Sequence, residues 1–162
     1  MRALALLLIV SASAAAQRAA PPRYGVGFDV ATAFYGDVVP NGPSLGVRGR
    51  VALPVNADVS VAASLGVAAH LFGGTSDADY VLNPQTSLIV TLPSQGSARY
   101  VLAGFGGFLP ITGGGGGPSI HAGAGLAIPL NEASFFIEAD PSVVFGEDSV
   151  VPVLSVRAGV IF

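Results

Sequence analysis

The 162-residue chain contains no cysteine, no tryptophan and no lysine. Without cysteine there is no disulfide, no thiolate metal site, no cysteine nucleophile and no acylated lipoprotein cysteine. Without lysine there is no Walker-type phosphate loop and no Schiff-base residue; all 7 basic residues are arginines. The 2 histidines, His70 and His121, lie far apart in sequence and do not form a zinc ligand set. Charge is scarce as well, at 10% of residues, against about 25% in an ordinary soluble domain. The net charge of −3 argues against nucleic acid, whose binding needs clustered cations. No apolar run approaches the ~20 residues of a spanning helix, because 22 glycines and 12 prolines interrupt the chain throughout.

What remains is apolar. Hydrophobic residues make up 51% of the chain and the mean hydropathy is +0.66. That excludes a disordered chain, which would be polar and highly charged. The length suits one domain.

Residues 1–16 have the form of a secretory signal peptide. Arg2 supplies the positive end, Ala3 to Val10 the apolar stretch, and Ala14, Ala15 and Ala16 a small-residue cleavage site. Residues 17–22 read as a flexible lead, and residues 23–162 as the folded domain, with no second, peptidoglycan-binding domain.

The folded part alternates with period 2, the signature of strands. Tyr24, Val26, Phe28, Val30, Thr32 and Phe34 share one face of a first strand. Leu45, Val47, Gly49, Val51 and Leu53 share one face of a second, and Val59 to Leu71 alternates without a break as a third. Further strands are predicted over residues 86–92, 99–109, 120–128, 135–144 and 151–162, making eight. In the fifth, Val101, Ala103, Phe105 and Leu109 are assigned outward and Leu102, Gly104 and Gly106 inward. Pro54, Pro93 and Pro129 each open a similar short polar turn, so the chain reads as a repeated hairpin. Between these turns lie more open loops at 36–43, 73–79, 110–118 and 146–149.

An even number of antiparallel strands with tight turns at one end and looser loops at the other is the plan of an outer-membrane barrel. One face of strand after strand is apolar, while the other carries Gly, Ala, Ser, Arg, Asp, Glu and His. Apolar residues facing lipid and mixed polar residues facing the lumen fit this better than a soluble barrel does. Closure lets such a chain cross a bilayer, because every backbone N–H and C=O is paired. Aromatics are expected in two interfacial belts: Tyr24, Tyr100, Phe135 and Phe162 near the turns, and Phe34, Tyr35, Phe72, Tyr80, Phe108 and Phe145 near the loops.

The last strand ends in Phe162, with apolar residues at every second position back through Val160, Ala158 and Val156 to Leu154. This resembles the C-terminal assembly signal of outer-membrane barrels. Residues 123–130 are similar to strand-turn pieces of the same kind. By pattern and layout the chain resembles the small eight-stranded family of the OmpA transmembrane domain and OmpX. The resemblance implies a closed all-β, up-and-down transmembrane barrel in the outer membrane. It also implies contact with outer-membrane lipid and lipopolysaccharide, insertion by the barrel-assembly machinery, and no cofactor. The loops are shorter than the long binding loops of many members.

Two groups of charges are candidate sites. Asp29, Arg48, Arg50, Glu138, Asp140 and Arg157 lie on inward positions of strands 1, 2, 7 and 8, which closure makes consecutive. They are expected to pair across the closing seam and plug the lower lumen, because an unpaired buried charge costs several kcal/mol; a gated ion path is the other reading. Asp37, Asp77, Asp79, Glu147 and Asp148 form an acidic extracellular rim, read as solvated loops or as a cation bridge to lipopolysaccharide phosphates.

The five glycines from Gly113 to Gly117 read as a loop tip without the helix or lysine of a phosphate cradle. The pairs at 25/27, 104/106 and 123/125 suit a crowded lumen. Ser119 and His121 share a face, with His70 near the same rim. A lipid hydrolase is therefore weighed, but no third carboxylate is placed beside them and no catalytic residue is assigned. A structural or surface-interaction role is expected ahead of a narrow channel, a lipid-modifying enzyme or a secreted lipocalin-like binder.

Overall fold

Alternating apolar and small or polar residues can bury only one side of a strand, and such strands must pair edge to edge. In the computed structural model, which describes residues 20–34, 42–70, 79–94, 96–111, 116–147 and 149–162, they do so around a full circle. The strands are β1 (Arg23–Ala33), β2 (Gly42–Pro54), β3 (Val59–His70), β4 (Asp79–Leu92), β5 (Ala98–Pro110), β6 (Gly117–Pro129), β7 (Ser134–Ala139), β8 (Ser142–Phe145) and β9 (Val150–Ile161). Each pairs antiparallel with its neighbours, and β9 closes on β1. At the seam Tyr24 and Phe162 exchange backbone hydrogen bonds of 2.9 and 2.8 Å.

β7 and β8 are two halves of one stave, so the barrel is eight-stranded. The sequence reading made 135–144 a single strand. The structure divides it at Asp140 and Pro141, since proline has no N–H to give the ladder. The register runs on across the gap, from Ala139 opposite Val156 to Ser142 opposite Val153.

Several strands begin earlier than the sequence reading placed them. β2 starts at Gly42, β6 at Gly117 and, most of all, β4 at Asp79 instead of residue 86. Pro84 sits inside β4. Its pairing with β3 is unbroken, and only the ladder to β5 is interrupted. The Gly107 carbonyl on that side takes its proton from the Asn83 side chain, at 2.8 Å.

The turns follow the sequence. Asn56 Oδ1 accepts from the N–H groups of Asp58 and Val59, at 2.9 and 2.8 Å, which shapes the first turn. Gly96 in the second turn has φ of 86°, a left-handed conformation that favours glycine.

Outward positions are apolar on every stave. Phe28 is 73% exposed and Phe105 66%. Val26, Leu45, Val67, Leu88, Ile120, Ile137 and Leu154 are exposed beside them. Water-soluble monomers rarely expose apolar patches above a few hundred Å², and here the apolar surface encircles the barrel. Among the described residues no helix is long and apolar enough to cross a membrane.

The aromatic belts need correction. Tyr24, Phe34, Tyr80, Phe135, Phe145 and Phe162 do face outward. Tyr100 and Phe108 are buried inside the lumen, on the opposite parity of β5 from Val101 and Leu109. Tyr35 and Phe72 lie outside the described residues, as do residues 1–16 and the proposed cleavage site.

Candidate functional site: the filled lumen

Inside the barrel three levels follow one another from the loop end to the turn end. At the loop end Ala33, Val81, Phe108, Val144, Val151 and Val153 form a buried apolar cluster. They come from the loop-side ends of β1, β4, β5, β8 and β9. On its turn side lies a layer of charged side chains, and beyond that the lumen opens into a cavity.

The charged layer brings together all six residues named from the sequence. Asp29, Arg157 and Glu138 are direct cross-strand partners on the three staves of the closing seam. Arg157 is the hub. Its Nε donates to Asp29 Oδ2 at 3.3 Å, and its Nη1 meets Glu138 Oε1 at 3.0 Å and Asp140 Oδ2 at 2.6 Å. Arg50 holds Glu138 with both terminal nitrogens, at 2.9 and 2.7 Å, the bidentate geometry that guanidinium and carboxylate share. Its guanidinium also sits 5.6 Å from the Phe136 ring centroid, within cation–π range.

Arg48 donates to Asp29 Oδ2 from Nε and Nη2, at 3.1 and 3.0 Å. It then reaches across the lumen to Ser64 Oγ, the Asn83 backbone carbonyl and side chain, and Gln85 Oε1. The three arginines therefore meet three carboxylates, and β3 and β4 supply neutral acceptors to Arg48.

Glycines make room for these side chains. A Cβ at Gly66 would stand 2.7 Å from Arg48 Nη2, and one at Gly125 would collide with the Tyr100 ring. Inward glycines thus sit under large polar neighbours, as the Gly-x-Gly spacing implied.

Participants not assigned from the sequence include Ser64, which accepts from Arg48. Asn83 and Gln85 fall between the loop predicted at 73–79 and the strand predicted from residue 86, in a stretch given no assignment. Counting back from Ser87 by twos through Gln85, Asn83 and Val81 would have found them. Tyr100 was placed in a belt, yet its hydroxyl donates to Glu138 Oε2 at 3.0 Å.

Ser87 is another. His121 Nδ1 lies 2.8 Å from Asp140 Oδ1, and His121 Nε2 lies 3.3 Å from Ser87 Oγ. The sequence places no carboxylate beside His121, yet Asp140 is its direct partner, because neighbouring staves in a tilted barrel are staggered. Ser119 is buried on the same side, with no hydrogen bond to its Oγ. A serine, a histidine and a carboxylate in line have the order of a nucleophilic triad. Here the His121 and Asp140 side chains are fully buried and Ser87 is 6% exposed, which leaves no access for an acyl substrate.

Asp37, Asp77 and Asp148 lie outside the described residues. Asp79 opens β4 opposite His70, and Glu147 is exposed beyond β8. Among the described residues no group of His, Asp and Glu is arranged to hold a metal ion. Leu154, Val156, Ala158, Val160 and Phe162 do alternate outward along β9, Phe162 being 63% exposed.

No protein-family model matches the chain, and no curated protein matches it either. Solved structures do. Neisserial surface protein A superposes with a TM-score of 0.74 at 12% identity, covering 90% of this chain and 98% of that one. The N-terminal β-barrel domain of Pseudomonas aeruginosa OprF gives 0.58 at 17% identity, over 90% and 100% of the two chains. Ail, the attachment invasion locus protein of Yersinia pestis, gives 0.54 at 17% identity, over 87% and 97%. The chain thus has the fold of the small eight-stranded outer-membrane β-barrels.

Proposed function

We propose that this protein is an outer-membrane barrel with a closed lumen that serves the envelope through its walls and outer surface, as a structural or surface-contact protein, and carries no solute through its interior. One observation carries the reading. The apolar wall faces outward all round, while the interior is filled by an apolar cluster and a paired ionic layer in series. Eight-stranded barrels are just wide enough for side chains to fill, and here the fillers are bonded to one another. The name of Ail, an attachment protein, supports a surface-contact role on a barrel of this size.

In this reading the short turns face the periplasm and the loops face outward, toward lipopolysaccharide. Insertion is by the barrel-assembly machinery, with β9 presenting the outward row that ends in Phe162. Membrane fractionation and liposome swelling test it together. The protein is expected in the outer-membrane fraction, resistant to urea washing and with heat-modifiable gel mobility. Liposomes that contain it are expected not to swell in small sugars. A soluble periplasmic product, or rapid swelling, would overturn it.

A further inference from the structure

The turn end of the lumen is not filled. Inward positions there carry small residues, Ala52, Ala98 and Ala127, and they leave a cavity of about 290 Å³ open at the mouth of the barrel. That is close to the lower end of the range for small-molecule pockets. Its floor is made by Arg50 and Tyr100, both bonded to Glu138, so the cavity is a dead end. Ile89 and Ile161 give it apolar walls, and Ser60 and Thr91 contribute hydroxyls.

The charge on this wall is unbalanced. Arg50 is matched by Glu138. Arg23 also lines the cavity, and among the described residues it has no carboxylate partner. No carboxylate lines the cavity. One surplus positive charge beside apolar walls calls for a ligand with one negative charge and a short apolar body. A phosphate monoester, with about −1.5 to −2 charges, exceeds what Arg23 alone can match.

We propose that the turn-end cavity binds a small monocarboxylate, its carboxylate at Arg23 and its apolar part between Ile89 and Ile161. This site is independent of any contact made at the loop end.

The test is a chemical-shift titration of the full barrel in phosphatidylcholine nanodiscs at neutral pH. The probe is hexanoate, with hexanol and hexylamine as neutral and cationic controls. Saturable shifts are expected at Arg23, Ala52 and Ala98, with hexanoate binding roughly tenfold more tightly than hexanol, the scale of one charge-assisted hydrogen bond. Arg23→Gln, an exposed position, should bring hexanoate down to the hexanol level while leaving the unfolding midpoint unchanged. Ala127→Leu, which fills the cavity, should weaken both. Equal shifts with hexylamine, shifts confined to outward-facing residues, or full hexanoate binding by Arg23→Gln would overturn the assignment.

Discussion

Arg157 is the residue on which the interior turns, since it alone touches Asp29, Glu138 and Asp140. Both partners of each of these pairs are almost wholly buried. Removing the cation would leave three buried carboxylates short of one shared countercharge, with Asp29 and Glu138 left to Arg48 and Arg50 and Asp140 to His121. A buried ion pair contributes little net stability compared with apolar packing, but breaking one from a single side costs about 3–5 kcal/mol. Arg157→Met is therefore expected to lower the stability of the folded barrel by about that much, read from the urea midpoint in lipid vesicles. An unchanged midpoint would mean that the pairs do not hold the seam.

Gly66 makes a second prediction at this scale. A methyl there would meet Arg48, whose guanidinium is held by Asp29, Ser64, Asn83 and Gln85 and has little freedom to move. Gly66→Ala should cost about 1–3 kcal/mol, as overpacking does. A neutral result in the same assay would show that Arg48 can retreat.

At the scale of elements, β4 does two things at once. Its outward residues complete the apolar wall, and its inward Asn83 and Gln85 accept from Arg48. Asn83 also repairs the gap that Pro84 leaves in the ladder to β5. Asn83→Ala should therefore leave both Arg48 and the Gly107 carbonyl short of a partner, costing about 1–3 kcal/mol. Native-state hydrogen exchange should quicken at the junction of β4 and β5 and not at that of β2 and β3. Uniform or unchanged exchange would contradict the repair.

The same strand shows where the sequence stops being legible. β1, β2, β3 and β9 could be read residue by residue, since period-2 alternation is clean in each and parity assigns every side chain to a face. The sequence predicts the fourth strand only from residue 86; Pro84 and Thr86 interrupt the outward apolar row before Leu88, and a side chain that compensates for a proline leaves no periodic trace. Tyr100 and Phe108 were misplaced for a different reason. They were grouped by height along the barrel, although the outward Val101 and Phe105 on the same strand already fixed them inward. The six ionic residues were legible because charges on an apolar-patterned strand stand out. The pairing of His121 with Asp140 was not, because stagger between staves appears only once the register is known.

The whole molecule carries two opposite surfaces on one sheet. Its outside is apolar around the full circumference, and its inside is divided into an apolar level, an ionic level and an open mouth. In the proposed closed lumen the two filled levels act in series, so closure would not depend on either alone. Single substitutions in the ionic layer are expected to cost stability before they open a path, because the cluster around Phe108, Val144 and Val151 still closes the loop end. Opening the lumen should require removing both, for example Arg157→Ala combined with Phe108→Ala.

Conductance across a planar lipid bilayer tests the closed lumen most directly. The wild-type protein, inserted and folded by gel mobility, is expected to give no steps above the bare-membrane baseline in 1 M KCl, and the double variant to give small discrete ones. Stable single-channel steps from the wild-type protein, abolished by unfolding it, would contradict the account.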